Sequence, residues 1–275
     1  MPLSQLRLHI FVGLLLLFLL CESLWPLRKQ TQSKIWRLGI NLALAAIGTL
    51  VLRFLFFPPV LWLSQWVSDK GIGLFAGINV PQAVRFMGAL LLLDYTLYVW
   101  HLMNHKIPFL WRFHNVHHTD LDLDVTTAAR FHFGELALSA GFRALQVAMF
   151  GIDPFTLILY ETLVTSAAQF HHGNFSLPPR FEKALNLILV TPRMHGIHHS
   201  IVQQETDSNF STIFSFWDRM QRTLRIGIPQ EEITIGVAAY RERDELTLWK
   251  SLWIPFKKQR KWALPNGVVP VRYGG

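Results

Sequence analysis

IWRLGINLALAAIGTLVLRFLFF, residues 35–57, is apolar almost throughout. About 20 such residues cross the hydrocarbon of a bilayer as a helix, and a helix satisfies its own backbone there. The run is expected to span, with Pro58 and Pro59 ending it. Two further runs flank it, LHIFVGLLLLFLLCESLW (8–25) and AVRFMGALLLLDYTLYVW (83–100). The first has no small residue before Cys21 and no A-x-A-like cleavage site, so it reads as an uncleaved anchor. Arg28, Lys29, Lys34 and Arg37 follow it while only Arg7 precedes it, which predicts an outside N-terminus and a cytoplasmic 28–37. Residues 58–82, with Lys70 as their only basic side chain, then read as an external loop partly on the membrane. Asp94, in mid-run, is expected to be functional or paired.

Composition agrees with a membrane protein. Of 275 residues, 51% are hydrophobic and 16% charged, against roughly a quarter charged in soluble domains. The net charge of +8 fits basic cytoplasmic loops and anionic lipid. Nucleic-acid binding is not indicated, because the basic residues form no stripe interleaved with exposed aromatics. A lone cysteine forms no internal disulfide and no zinc-type pair.

Beyond residue 100 the chain is polar and rich in histidine. Eleven of the twelve histidines lie between residues 101 and 199. They form His101-x3-His105, FHNVHH (113–118), His132, the pair His171-His172, and MHGIHH (194–199). On a helix, positions i, i+3 and i+4 share a face with Cβ atoms about 5–6 Å apart. Each H-x2-H-H triplet is therefore expected to aim three imidazoles at one point. A lone histidine is more often a capping or core residue, the reading given to His9 and to one of His171 and His172. Two triplets and an H-x3-H near membrane-helix ends point instead to metal. Imidazole suits iron, zinc, copper and nickel. Ten converging histidines exceed the four ligands of structural zinc and suit two ions. Neither the Glu-x-x-His ligand pattern of soluble di-iron bundles nor H-E-x-x-H is present.

Between the histidines, residues 135–150 and 153–170 are two apolar segments joined by Gly151, Asp153 and Pro154. They read as a hairpin that enters or crosses the membrane. The expected architecture is an all-α integral membrane protein with about three transmembrane helices, a membrane hairpin, and a cytoplasmic helical lobe holding a histidine-rich dimetal site. The expected division is 1–100 membrane helices, 101–222 dimetal region including the hairpin 135–170, and 223–275 a cytoplasmic C-terminal tail.

DYTLYVWHLMNH (94–105), FHNVHHTDLDLDVTTAARFHFGE (113–135), FHHGN (170–174), TPRMHGIHHS (191–200) and ETDSNFSTIFSFWDRM (205–220) occur in this order. From Asp94 to Arg222 the chain resembles the fatty acid hydroxylase superfamily, also called the sterol desaturase family, membrane oxygenases with a histidine-ligated dimetal centre. The resemblance implies ten ligands: His101, His105, His114, His117, His118, His132, His172, His195, His198 and His199. His132 matches an isolated histidine shortly after an arginine, here Arg130. His172 matches an H-x-N element ending at Asn174, which leaves His171 as a spare. The chain departs from the family's Phe-Gly-Thr at Met220, Gln221 and Arg222. No catalytic residue beyond the ligands is expected. Asp120, Asp122, Asp124, Glu135 and Asp207 lie beside the ligands in sequence. Asp94, Asp124, Glu135, Asn174 and Asp207 are the candidates to receive the second N–H of a metal-bound imidazole.

The implied activity is O2-dependent hydroxylation or desaturation of a lipid or sterol-like C–H bond by two iron ions, with O2 as co-substrate; the family also cleaves ether lipids. Zinc competes for the same imidazoles on purification. No dinucleotide fingerprint, haem or iron–sulfur motif is present, so electrons are expected from a separate ferredoxin- or cytochrome-type carrier. The expected location is the inner (cell) membrane, with the site on the cytoplasmic side. The rival reading is a membrane metal-binding or metal-transport protein without redox chemistry, whose ligands belong deep in the helices rather than at their ends.

Overall fold

A computed structural model describes residues 3–75, 78 and 80–272. Among them the chain is helical, with only isolated bridges such as Pro26 to Phe175 and Ser200 to Ile235. The long helices are α1 (Leu3–Leu24), α2 (Lys34–Val51), α3 (Phe57–Lys70), α4 (Gln82–Lys106), α5 (Pro108–His118), α6 (Phe133–Phe150) and α7 (Pro154–His172). Short helices follow: α8 (Pro179–Leu185), α9 (Pro192–His198), α10 (Gln203–Thr206), α11 (Phe216–Met220) and α12 (Leu248–Trp253).

Three helical runs among the described residues are long and apolar enough to cross a membrane: Gln5–Leu24, Lys34–Lys70 and Gln82–Lys106. The middle one corrects the expectation that Pro58 and Pro59 stop the helix. A π-helical turn, Leu52–Phe56, joins α2 to α3, and the prolines fall in the first turn of α3. There a missing N–H is tolerated because the wider turn has already shifted the ladder. The segment expected to be a loop from residue 58 is thus helical to Lys70. A run of 37 residues rises about 55 Å, against a hydrocarbon core of about 30 Å, so it cannot all lie along the bilayer normal. Leu8, Leu16, Leu20 and Leu24 of α1 are exposed, an apolar face suited to lipid.

One core joins α3, α4, α6 and α7 through Val67, Leu93, Val147, Leu157 and Tyr160. At its end, Leu74 and Phe75 donate backbone hydrogen bonds to Met149 and Phe150. Gly73 and Gly151 both have positive φ and their backbones touch, leaving no room for a Cβ at Gly73. A second core gathers Leu44, Val116 and Leu121 with Val237, Tyr240, Leu246 and Ile254. The C-terminal residues therefore pack on α2 and α5.

Four helices, α4, α5, α7 and α9, end in turns that carry histidines, with His101 and His114 one turn earlier. The helix dipole is negative at that end, which favours a cation. The packing that brings these four ends together makes the site.

Candidate metal centre

The inward-facing nitrogens form two groups. His101, His105, His114, His118 and His198 make the first, and His117, His172, His195 and His199 the second; within each group one nitrogen per ring lies within 4.8 Å of all the others. The groups adjoin, since the His118 and His199 rings are 4.4 Å apart between centroids.

Each triplet is divided between them, unlike the expected single focus. His114 and His118 serve the first group and His117 the second; His195 and His199 serve the second and His198 the first. Helix geometry explains the split. At about 100° per residue, i+4 lies roughly 40° past i, whereas i+3 lies roughly 60° to the other side. The i, i+4 pair stays together and the i+3 ring turns to the neighbour. His101 and His105, also i and i+4, share the first group.

Three of the six nitrogen contacts set lone pair against lone pair. In the first group the Nε2 atoms of His101 and His114 are 3.2 Å apart, those of His118 and His114 3.2 Å, and those of His198 and His101 3.1 Å. In the second, His117 and His172 are 3.1 Å apart, His195 and His172 3.0 Å, and His199 and His195 3.1 Å. The outer nitrogens fix the tautomers of five rings. Nδ1–H of His101 donates to the Phe210 carbonyl at 2.7 Å, His198 to Ser208 at 2.7 Å, and His172 to Ala168 at 2.8 Å. His114 donates to Glu135 Oε1 at 2.7 Å and His117 to the Arg130 carbonyl at 3.3 Å. These acceptors hold the proton on Nδ1, so the inner Nε2 atoms of these five rings carry lone pairs, whereas Nδ1 of His118, His195 and His199 has no partner among the described residues and leaves their Nε2 free to donate. Facing lone pairs repel unless a proton or a metal ion lies between them. Burial, reinforced by the neighbouring imidazoles, holds His117, His118, His195, His198 and His199 well below the usual imidazole range, so protons are disfavoured. The spacing fits metal: nitrogens about 2.1 Å from one ion are about 3.0 Å apart at a right angle and about 3.4 Å at the tetrahedral angle.

His132 is not brought to either group. Its Nδ1 accepts from Gly134 N at 2.9 Å, capping α6, and its Nε2 faces the Leu252 carbonyl at 3.2 Å. Both nitrogens are occupied, and a helix start points the ring away from the convergent helix ends. His171 is buried against the His195 ring, 4.1 Å between centroids, but belongs to neither group. His9 sits in α1, bonded to the Gln5 carbonyl.

Of the acids and amides flagged beside the ligands, Glu135 touches one directly. Asp207 lies 3.8 Å from His105 Nδ1 and pairs with Lys106 at 2.8 Å. The other three have different tasks. Asp94 accepts from Trp217 Nε1 and Phe214 N, pinning the 213–217 segment to α4. Asn174 exchanges two bonds with the Arg28 backbone. Asp124 caps the turn Val125–Ala129 and pairs with Arg37 at 2.6 Å.

Arg37 is the residue that sequence reasoning used only as a topology signal. It is 0% exposed and grips Asp120 with Nε and Nη2 at 2.6 and 2.8 Å. Despite burial, this cation holds the Asp120 carboxyl well below the usual carboxylate range. Asn41 adds bonds to Asp120 and Thr126 and accepts from Arg130, whose Nε binds the Val116 carbonyl. Asp122 accepts from Thr31 N and Gln32 N. The loop after the first triplet is thereby riveted to the start of α2. Asp218 accepts from Phe210 N and Ser211 N, and so orients the carbonyl that receives His101. No sequence signal marks the carbonyls of Phe210, Ser208, Arg130 and Ala168, since every residue has one.

Residues 86–223 match the Fatty acid hydroxylase family. The cholesterol 25-hydroxylase of Mus musculus is 25% identical over 246 residues, 85% of this chain and 80% of that protein. An ornithine lipid hydroxylase of Rhizobium tropici is 25% identical over 83% of this chain and 70% of its own length. The alkylglycerol monooxygenase of Homo sapiens is 25% identical over 82% of this chain but only 48% of its own. No solved structure matches the chain. With half the chain matched and the histidines gathered at converging helix ends, the protein is a member of the fatty acid hydroxylase family.

Proposed function

We propose that the protein is a di-iron, O2-dependent hydroxylase of a membrane lipid or sterol-like substrate. The reading is carried by the two groups of imidazoles, each converging its ligand nitrogens within 4.8 Å, with lone pair facing lone pair at His101–His114, His198–His101 and His117–His172. His101, His105, His114, His118 and His198 would hold one ion, and His117, His172, His195 and His199 the other. Bound there, a reducible metal pair supplies activation of O2 and attack on a C–H bond.

The chain's own residues do the rest. The carbonyls of Phe210, Ser208 and Ala168 and the Glu135 carboxylate keep protons on Nδ1 and lone pairs on Nε2. Burial of the rings keeps bulk water from the centre. The Arg37–Asp120 anchor holds the α5 triplet in place. Three long apolar helices give access to a substrate dissolved in lipid, and the relatives' names, hydroxylases of a sterol and of ornithine lipid and a monooxygenase of alkylglycerol, support that class. Electrons come from a separate carrier, and the site faces the cytoplasm on the basic-loop argument.

The test is mass spectrometry of lipids from cells expressing the intact chain or His117→Ala, grown under heavy-isotope O2. Heavy oxygen in one lipid class only with the intact chain is the expected result. Loss of two hydrogens without label would replace hydroxylation by desaturation. Matching lipidomes at equal expression, with an electron donor supplied, would overturn the oxygenase reading.

A further inference from the structure

The short helix α12 (Leu248–Trp253) divides its side chains between two faces. Leu248, Ser251 and Leu252, at i, i+3 and i+4, turn inward. Ser251 is buried, and both leucines pack on the core that holds Leu44 of α2 and Val116 of α5. Trp249 and Trp253, also i and i+4, turn outward and are more than half exposed, as is Phe256 just beyond the helix. The apolar surface continues onto α5. Trp253 meets Phe256 at 5.8 Å between ring centroids, Phe256 meets Phe113 at 6.0 Å, and Phe113 meets Phe109 at 5.6 Å. Phe109 is again more than half exposed. A contiguous aromatic patch of this kind marks a contact surface.

Its position identifies the partner. Phe109 stands three residues past the end of Gln82–Lys106, a helix apolar enough to span. The 25 residues of that helix rise about 37 Å, against about 30 Å of hydrocarbon, so it ends close to the membrane surface. The core beneath α12 also takes in Trp36 and Ile40, near the start of a second such run, Lys34–Lys70. Two spans thus place the patch where hydrocarbon gives way to headgroups, the level at which tryptophan is enriched.

Charge selects the lipid. Residues 249–261, WKSLWIPFKKQRK, carry five basic side chains and no acid. Arg260 pairs with Glu245. Lys257, Lys258 and Lys261 are exposed, and none pairs with a carboxylate among the described residues. Lysines beside interfacial aromatics attract anionic headgroups. A soluble acidic protein would meet the lysines but not the rings at membrane depth.

We infer that the outer face of α12, with Phe256 and Phe109, is a membrane contact in which the rings enter the headgroup boundary and Lys257, Lys258 and Lys261 hold anionic phospholipid. The contact presses onto the bilayer the same core on which the α5 triplet stands. It rests on the membrane architecture and not on the hydroxylase reading.

The test uses the full chain in lipid nanodiscs. In a Cys21→Ser background, Trp249→Cys carries a nitroxide, and Glu231→Cys carries one at an exposed position outside the patch. At 249, collisions with O2 are expected to exceed those with a water-soluble nickel chelate; at 231 the order reverses. A nitroxide at 249 as open to the chelate as the one at 231 overturns the membrane contact. Shielding of 249 only after an acidic ferredoxin is added also overturns it and makes the face a protein dock. In the unaltered chain, phosphatidylglycerol with a headgroup diazirine is expected to label residues 249–261 about five-fold more than its phosphatidylcholine counterpart, the factor for one lysine at an anionic surface. Lys257→Gln with Lys258→Gln is expected to bring the two lipids level. Equal labelling in the unaltered chain overturns the preference for anionic lipid.

Discussion

Replacing Arg37 by methionine keeps the length of the side chain and removes its charge. Arg37 makes five hydrogen bonds: two to Asp120, one to Asp124, one to the Asp122 carbonyl and one to Thr127. Asp120 and Asp124 are 2% and 1% exposed, so water cannot replace the guanidinium. Breaking a buried ion pair from one side costs about 3–5 kcal/mol. For a chain of this size that lowers the unfolding midpoint by roughly 10 °C. The pH dependence separates this mechanism from simple loss of packing. In the intact protein the Asp120 carboxyl is held low, so its contribution is complete above the ordinary aspartate value of about 3.9 and is lost only in stronger acid. Between pH 7 and 5 it changes nothing. In Arg37→Met, burial without the cation raises the folded value above the unfolded one. Stability then rises as pH falls from 7 to 5, the opposite of ordinary acid weakening. Thermal unfolding of the detergent-solubilised chain, followed by helical circular dichroism at both pH values, measures both effects. A midpoint within about 3 °C of the intact protein, or no recovery on acidification, refutes the anchor.

Glu135→Leu removes the carboxylate from His114, and metal retention in a chelator titration is expected to fall about 10–100-fold, as for other partners of ligating histidines. Glu135→Gln keeps an acceptor and should lose less. His132→Gln is expected to leave metal stoichiometry by elemental analysis unchanged, whereas His117→Ala loses one ion; a loss at His132 would show that its ring turns inward on loading. Arg222 has φ of 60°, a left-handed conformation that glycine adopts without penalty. Arg222→Gly is therefore expected to raise stability by up to about 1 kcal/mol, read as a midpoint shift of a few degrees. Metal-stripped protein should be acid-sensitive. His117, His118, His195, His198 and His199 are held low by burial, so the unfolded state binds protons first. Stability is then lost as pH falls through the ordinary imidazole value of about 6.5. A flat melting profile from pH 7.5 to 5.5 contradicts this.

What depends on neighbours within one or two helical turns was legible in the sequence. Apolar runs announced the three candidate spans, and the i, i+3, i+4 spacing announced imidazoles sharing helix faces. Pro108 coincided with the break between α4 and α5, since a proline at a helix start needs no N–H. Pro58 did not, because a π turn five residues long rearranges the ladder ahead of it, and nothing in composition signals that choice.

Partnership across the fold was decided only by the tertiary structure. Adjacent residues His117 and His118 face different groups because each step along a helix turns about 100°, and which side meets which ion depends on how four helix ends pack. Arg37 finds Asp120 across 83 residues. That pairing diverts Asp120 and Asp124 from the histidines they adjoin in the chain, while Glu135 reaches His114 from the next helix. The sequence by itself determined that this is a helical membrane protein with imidazoles enough for metal. Packing determined which lone pairs face one another, because a side chain's long-range partner is set by the helix against which it is buried.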